Sequence, residues 1–320
     1  MATQDELAHE DSVATFYKIQ NCDENGEYRA NKYNRALGTA FLPPAAHVPA
    51  LPATAPLDDL VAAVAAHGAV VLKGAIPVGD VAAFRAAHDA ALAELKPLKD
   101  ELYARRAAAE RRGEASESFY KGELRAPSGL RLRTTARGRF DLKHLDRRDG
   151  PGGPLAAAVE PLVLPPACRA LLQRLMATPW RVKTVGSLPT DAGASGGEWH
   201  RDIGEGPCEG LWGEELDLRL PDYYFNALVP LGAASPEAGT EILLGSHAVG
   251  RDGVADLARA VAAAGAGDVV FFNGKCVHRG RPNAAEARRD LAYVVYAAKW
   301  FEQGRDPAAE LPAYASTAPP

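Results

Sequence analysis

Residues 268–301 read DVVFFNGKCVHRGRPNAAEARRDLAYVVYAAKWF. The apolar run DVVFF stops at Asn273-Gly274, a turn pair. KCVHRG follows over 275–280, and after a polar connection RDLAYVVYAAKWF covers 289–301. β-Branched and aromatic residues fill these runs and turn formers separate them, which predicts three successive short strands. Upstream, VKTVGSL (182–188), DLRLPDYYFNALVPL (217–231) and TEILL (240–244) repeat the texture. Several short strands with turn signals between them predict a β-sandwich or barrel over residues 180–300. Nothing repeats at a solenoid period.

The preceding region reads differently. Residues 1–56 end in PPAAHVPALPATAP, which cannot continue a helix or a central strand, so they are expected to form an extended lead-in. Leu57, Leu60, Val61 and Val64 fall at helical spacing, with Thr54 as cap and Gly68 as stop. Residues 69–72 form a compact apolar run expected to be a buried strand, and Val81, Phe84, His88, Leu92 and Leu95 mark a second helical face. His88, on that apolar face, is read as a core histidine. Residues 57–305 are expected to form one domain, with 57–179 surrounding a core at 180–300, and 306–320 a frayed tail.

With 320 residues, 47% of them apolar, the chain can bury a large core. The formal charge of -5 argues against a general nucleic-acid or membrane-surface protein. The acidic N-terminus resembles neither a secretory signal nor a transit peptide, and no apolar run has the length of a membrane span. Cys22, Cys168, Cys208 and Cys276 form no paired motif, so an intracellular, cytoplasmic location is expected. Within this acidic chain, residues 96–148 carry 15 Lys and Arg against 8 Asp and Glu. One reading is a solvated helix followed by an exposed loop or hairpin; the other is a basic rim that recruits an anionic small-molecule substrate.

GGEWHRD, residues 196–202, carries the first chemical signal. In a strand, His200 and Asp202 project from one face while Arg201 points away. One imidazole and one carboxylate need a second imidazole to form the facial two-His-one-carboxylate set that holds Fe(II) with positions left open. His278, after an apolar strand and a turn, is the candidate. A bare HxD occurs by accident; the distant His and a following Arg give it weight. That Arg is Arg289, which opens the last strand with Leu291, Tyr293 and Val295 on its face. A guanidinium on an inward apolar wall needs an anion, and its planar fork suits a carboxylate such as the far end of 2-oxoglutarate. The alternative is a structural salt bridge to Glu286 or Asp290. Arg288, the rival, is turned outward by strand alternation. Trp199, Trp212 and Tyr224, with Tyr223 and Phe225, are candidates to line a substrate pocket or equally to fill core.

Taken together, WHRD, GTEILLGSH (239–247), HRGRPNAAEARR (278–289) and AAHGAVVLKGAI (65–76) resemble the phytanoyl-CoA dioxygenase family of Fe(II) and 2-oxoglutarate enzymes. Asn283 and Arg289 stand five and eleven residues after His278, as in the family pattern. The resemblance implies a mainly β protein with flanking helices around a double-stranded β-helix (jelly roll, cupin-like) core. It implies iron on His200, Asp202 and His278, 2-oxoglutarate on Arg289, and a dioxygenase that uses O2, releases succinate and CO2, and hydroxylates a small organic or acyl substrate. His247 then belongs to a structural turn and is not a ligand. Leu244 replaces the family's usual proline, and the long loop GEGPCEGLWGEELDL follows Asp202, so the family's substrate is not carried over. Halogenating members of this fold replace the carboxylate by Ala or Gly; Asp202 points to hydroxylation instead. Two other readings stay open on the residues: a non-catalytic jelly roll that senses or scaffolds through metal or 2-oxoglutarate, and an oxygenase directed at nucleic acid through the basic stretch.

Overall fold

The computed structural model describes residues 32–43, 45–113, 122–126, 128, 130–143, 145, 153–203, 218–233, 239–250 and 253–301. In chain order these form α1 (Lys32–Leu37), β1 (Ala46–His47), β2 (Ala50–Pro52), α2 (Leu57–His67), β3 (Ala69–Lys73), α3 (Val78–Arg111), β4 (Gly122–Arg125), β5 (Arg131–Ala136) and β6 (Arg139–Lys143). Then come α4 (Gly153–Val163), α5 (Pro166–Leu175), β7 (Trp180–Thr190), β8 (Tyr224–Pro230), β9 (Thr240–Leu243), β10 (Arg259–Val261), β11 (Val269–Asn273), β12 (His278–Gly280) and β13 (Arg289–Ala298).

Nine strands make a large sheet in the order β2-β3-β11-β8-β13-β7-β6-β5-β4, and four make a small one, β1-β10-β9-β12. From β7 onward the chain alternates between them. It leaves the large sheet after β7, bridges to β12 of the small sheet at His200, and returns as β8. It crosses again for β9 and β10, comes back as β11, crosses for β12 and closes with β13 between β7 and β8. This winding is the double-stranded β-helix.

Alternation along each strand divides the core. Phe225, Ala227 and Val229 of β8, Phe271 of β11 and Ala292, Val294 and Tyr296 of β13 pack outward against helix residues such as Phe84, Leu95, Leu162 and Leu172. The opposite face of the large sheet gives Val71, Leu228, Val270 and Phe272 to a second cluster, which they share with Ile242 and Ala260 of the small sheet. This inter-sheet layer is the floor beside the candidate site.

Helix α2 ends where expected, because Gly68 takes the left-handed conformation at φ 75° and its N–H closes on the Val64 carbonyl. Its first cap is Pro56, however, and not Thr54. The extended lead-in expected for 1–56 holds a helical turn, α1, whose Tyr33 and Leu37 are buried, and two short strands; residues 1–31 lie outside the described residues, as do 302–320. His88 is buried, with its Nε2 2.9 Å from the Ser187 hydroxyl. The described basic residues within 96–148 divide between the end of α3 and the meander β4–β6, which extends the edge of the large sheet; Lys121, Arg147 and Arg148 lie outside the described residues. Among the described residues no single helix is long and apolar enough to cross a membrane.

Phe271, fully buried and stacked on Phe225 at 5.1 Å between ring centroids, sits where β11 meets the helical layer. Truncating such a ring leaves a cavity, so Phe271→Ala should lower the unfolding free energy by about 3–5 kcal/mol in guanidinium titrations. A loss under about 1 kcal/mol would show that this layer is not close-packed.

Candidate metal and oxoacid site

Two backbone hydrogen bonds assemble the site. The His200 N–H donates to the His278 carbonyl at 3.0 Å and the His278 N–H returns to the His200 carbonyl at 2.9 Å. Residues paired in this way carry their side chains on one face, and the two imidazole centroids lie 4.3 Å apart. The expected strand through WHRD is therefore reduced to one bridge pair, but its alternation holds: Arg201 turns to the other side, is buried, and donates to the Ser246 and Val249 carbonyls. The Asp202 N–H donates to the Gly274 carbonyl, which fixes the carboxylate above the turn joining β11 to β12. His200 Nε2 lies 3.7 Å from Asp202 Oδ1, and His278 Nε2 3.7 Å from Asp202 Oδ2. One atom from each residue lies within 4.8 Å of the other two, the spread expected around a single ion.

The protonation pattern fits that use. His200 Nδ1 is 2.8 Å from the Glu198 carbonyl and His278 Nδ1 3.0 Å from the Cys276 carbonyl. A carbonyl only accepts, so both Nδ1 atoms carry the proton and both Nε2 lone pairs face Asp202. Burial pushes the His278 pKa down to about 4, against an upward pull from Asp202, so this imidazole is neutral at pH 7 and its lone pair is available. The Asn226 amide donates to Asp202 Oδ2 at 2.7 Å and orients the carboxylate. Side-chain exposure rises from 9% at His278 through 27% at Asp202 to 44% at His200, so the set is anchored on one side and open on the other. The donors suit Fe(II), with a face left for further ligands.

A second grouping, His88, Asp89 and Asp290, has metal-like spacing. Arg288 already occupies it, donating to both Asp290 oxygens at 2.8 and 2.9 Å and to Asp89. It is an ion-pair cluster on the helical side of the sheet, where strand alternation was expected to send Arg288.

Arg289 lies on the opposite face of β13, with Leu291, Tyr293 and Val295. Its Nη2 donates to the Arg281 carbonyl at 3.2 Å, while Nε and Nη1 are buried with no partner among the described residues. No salt bridge to Glu286 or Asp290 forms. Burial, and then the nearby Arg139, push its pKa down to about 10. Two buried guanidinium donors with no partner among the described residues are able to receive an oxyanion. Asn283 shapes the connection that delivers Arg289: its amide donates to the Thr190, Asp191 and Ala287 carbonyls.

The aromatic candidates separate. Tyr224 is buried beside Asp202, and burial followed by that carboxylate's charge holds its phenol well above the usual range. Trp199 is not in the cavity. One residue from His200, it faces the outer side of the small sheet, where Arg279 lies 4.3 Å over its ring. Tyr223 packs on Trp300 and Phe301, and Phe225 on Phe271. Trp212 and most of the loop after Asp202 lie outside the described residues. Sequence reading did not single out Asn226 or Arg139. The pairing of β8 with β11 and of β6 with β7 brings them here, and no local motif announces either.

The sequence pattern of the phytanoyl-CoA dioxygenase (PhyH) family matches residues 64–291, more than two thirds of the chain. No curated protein matches it significantly in sequence. Among solved structures, it is similar to the non-haem α-ketoglutarate-dependent epimerase SnoN from nogalamycin biosynthesis (19% identity, 76% of this chain and 82% of that one, TM-score 0.49). It is also similar to HygX from Streptomyces hygroscopicus, solved with nickel, 2-oxoglutarate and hygromycin B (17% identity, 77% and 89%, TM-score 0.49). A third is AviO1 from Streptomyces viridochromogenes Tue57 (18% identity, 81% and 98%, TM-score 0.48).

Asn226→Leu removes the donor that orients Asp202 while keeping the branched side-chain shape. Anaerobic titration with Fe(II) should show at least about a tenfold loss of affinity, the usual cost of losing an outer partner of a metal ligand. Undiminished affinity would mean that Asp202 is positioned without it.

Proposed function

The chain belongs to the phytanoyl-CoA dioxygenase family, and from that membership and the geometry of the site we propose that it is a dioxygenase hydroxylating a small organic or acyl substrate, with iron on His200, Asp202 and His278 and 2-oxoglutarate on Arg289. The family works with Fe(II), 2-oxoglutarate and O2. The observation that carries the reading is the set of three convergent donors, together with an Arg289 on β13 whose Nε and Nη1 are buried with no partner among the described residues.

When bound, iron and 2-oxoglutarate supply the oxidising chemistry: O2 is consumed, the oxoacid becomes succinate and CO2, and a substrate C–H bond becomes C–OH. The chain's own residues do the rest. The two imidazoles offer Nε2 because backbone carbonyls hold their Nδ1 protons. Asp202 supplies the anionic donor and is kept in register by Asn226. Arg289 takes the far carboxylate of 2-oxoglutarate through its guanidinium, which fixes the oxoacid's direction in the site. Leu291 beside Arg289 and Phe272, whose ring lies 4.8 Å from that of His278, give the site an apolar wall that limits water near the reacting carbon. Asp202 occupies the position that a halogenating enzyme would leave to halide, which supports hydroxylation. The acidic charge of the whole chain speaks against a nucleic-acid substrate.

Anaerobic addition of Fe(II) and 2-oxoglutarate should produce a weak visible charge-transfer band. Arg289→Ala should weaken 2-oxoglutarate binding by about thirtyfold or more, as expected when one partner of a buried charge pair is truncated. His278→Ala should abolish succinate formation, including slow turnover without added substrate. Normal 2-oxoglutarate binding by the first variant, or retained turnover by the second, would remove that residue from its role. A protein that binds both ligands but never forms succinate would be a sensor or scaffold.

A further inference from the structure

Arg139 is the second guanidinium of the cavity. Thr190 of β7 pairs with Arg289 of β13 on one side and with Arg139 of β6 on the other, so the three form a row on the inward face of the large sheet. Arg139 reaches across toward the small sheet, where its Nη1 donates to the Gly280 carbonyl at 3.2 Å, two residues beyond His278. Two glycines make room for it: a Cβ at Gly197 would meet Nη1 at 2.8 Å, and one at Gly280 would meet Nη2 at 2.6 Å. Among the described residues no carboxylate pairs with Arg139. Its charge acts instead on Arg289 and on His278. Two like charges seated close together in a partly desolvated cavity, without a counter-ion, are unfavourable unless a ligand brings negative charge.

2-Oxoglutarate accounts for only one of them. Its far carboxylate fits the Arg289 fork and its oxoacid end belongs to the metal, so both of its anionic ends are met without Arg139. Outward from Arg139, the same sheet face continues through Lys143 of β6 and Arg133 and Arg131 of β5, all exposed, while the opposite face, with Leu132, Phe140 and Leu142, is buried. Glu123 and Asp141 lie on the same face and pair with Arg125, Arg131 and Lys143, whereas Arg133 has no partner among the described residues. A net positive track therefore leads from the surface to Arg139 in a chain of net charge -5.

We propose that Arg139 is a specificity-determining residue that binds an oxyanion of the substrate, a carboxylate or phosphate, so that the substrate is a small anionic molecule entering over the β4–β6 face. This rests on the reading of Arg289 as the 2-oxoglutarate residue. Arg139 then holds the anionic end of the substrate, and the metal held by His200, Asp202 and His278 marks where its carbon is oxidised.

The test uses the full-length protein loaded anaerobically with Fe(II) and saturating 2-oxoglutarate, titrated with inorganic phosphate and separately with acetate. The charge-transfer band and calorimetric heat are followed together. Wild type should bind at least one probe saturably, Arg139→Gln at least tenfold more weakly, and Arg139→Lys in between. The affinity of Arg139→Gln for 2-oxoglutarate should stay within threefold of wild type. The tighter probe tells whether the substrate group is a phosphate or a carboxylate. The proposal is overturned if neither probe binds wild type, if Arg139→Gln binds them equally well, or if that variant loses 2-oxoglutarate tenfold, which would assign Arg139 to the cosubstrate. Thermal melts check that both variants fold; should the Gln variant not, the Lys variant must still weaken the probe, and equal binding by it overturns the proposal. Failure of the underlying reading looks different: no band in wild type, or a band indifferent to Arg289→Ala, while calorimetry still reports the phosphate.

Discussion

The mutual backbone hydrogen bonds between His200 and His278 hold together the parts of the chain that carry the candidate metal donors. With the Gly197 N–H, which donates to the Gly280 carbonyl at 2.8 Å, they join this segment to β12, set the two imidazoles on one face, and bring Asp202 over the Asn273-Gly274 turn. From this pair the rest of the site follows by alternation and register. Arg201 and Trp199 are sent to the outer face, Asn226 of the neighbouring large-sheet strand meets Asp202 from across the cavity, and β13 closes the barrel with Arg289 at its mouth.

A bridge of one residue pair is weak by itself, and the outer face of the small sheet shows what braces it. Glu241 of β9 is buried and takes Arg279 at 2.8 Å and Arg281 at 3.3 Å. The remaining donors of Arg279 go to the Thr39 and Ala40 carbonyls, Arg281 gives Nη2 to the Leu42 carbonyl, and Arg259 holds the Leu37 carbonyl. Buried charges are tolerated when their hydrogen bonds are met in this way. The segment after α1 is thereby strapped over β9, β10 and β12, and Trp199 is clamped between the strap and Arg279. The side chain next to His200 is thus core on one side of the sheet while the His200 imidazole faces Asp202 and His278 on the other.

Much of this was legible in the letters because it depends on short-range periodicity. The strand runs, the stop at Gly68 and the outward turn of Arg201 and Arg288 all follow from spacing and alternation. What was hidden depends on long-range register. Trp199 reads as a pocket aromatic until the bridge shows which face it takes. Asn226 and Arg139 become part of the site only when β8 lies between β11 and β13 and β6 lies on β7. Likewise α1 carries too few residues for a periodic signal; Tyr33 and Leu37 are fixed by packing against Trp199.

One bridge pair and the turn before β12 bring His200, Asp202 and His278 together, and Arg289 of β13 offers a guanidinium to a carboxylate. The most direct measurement is a crystal structure of the protein soaked anaerobically with Fe(II) and 2-oxoglutarate. The predicted result is one ion bonded to His200 Nε2, His278 Nε2 and an Asp202 oxygen, with the far carboxylate of the oxoacid on the Arg289 guanidinium. An ion bound without one of those three residues, or an oxoacid whose far carboxylate lies away from Arg289, would contradict it.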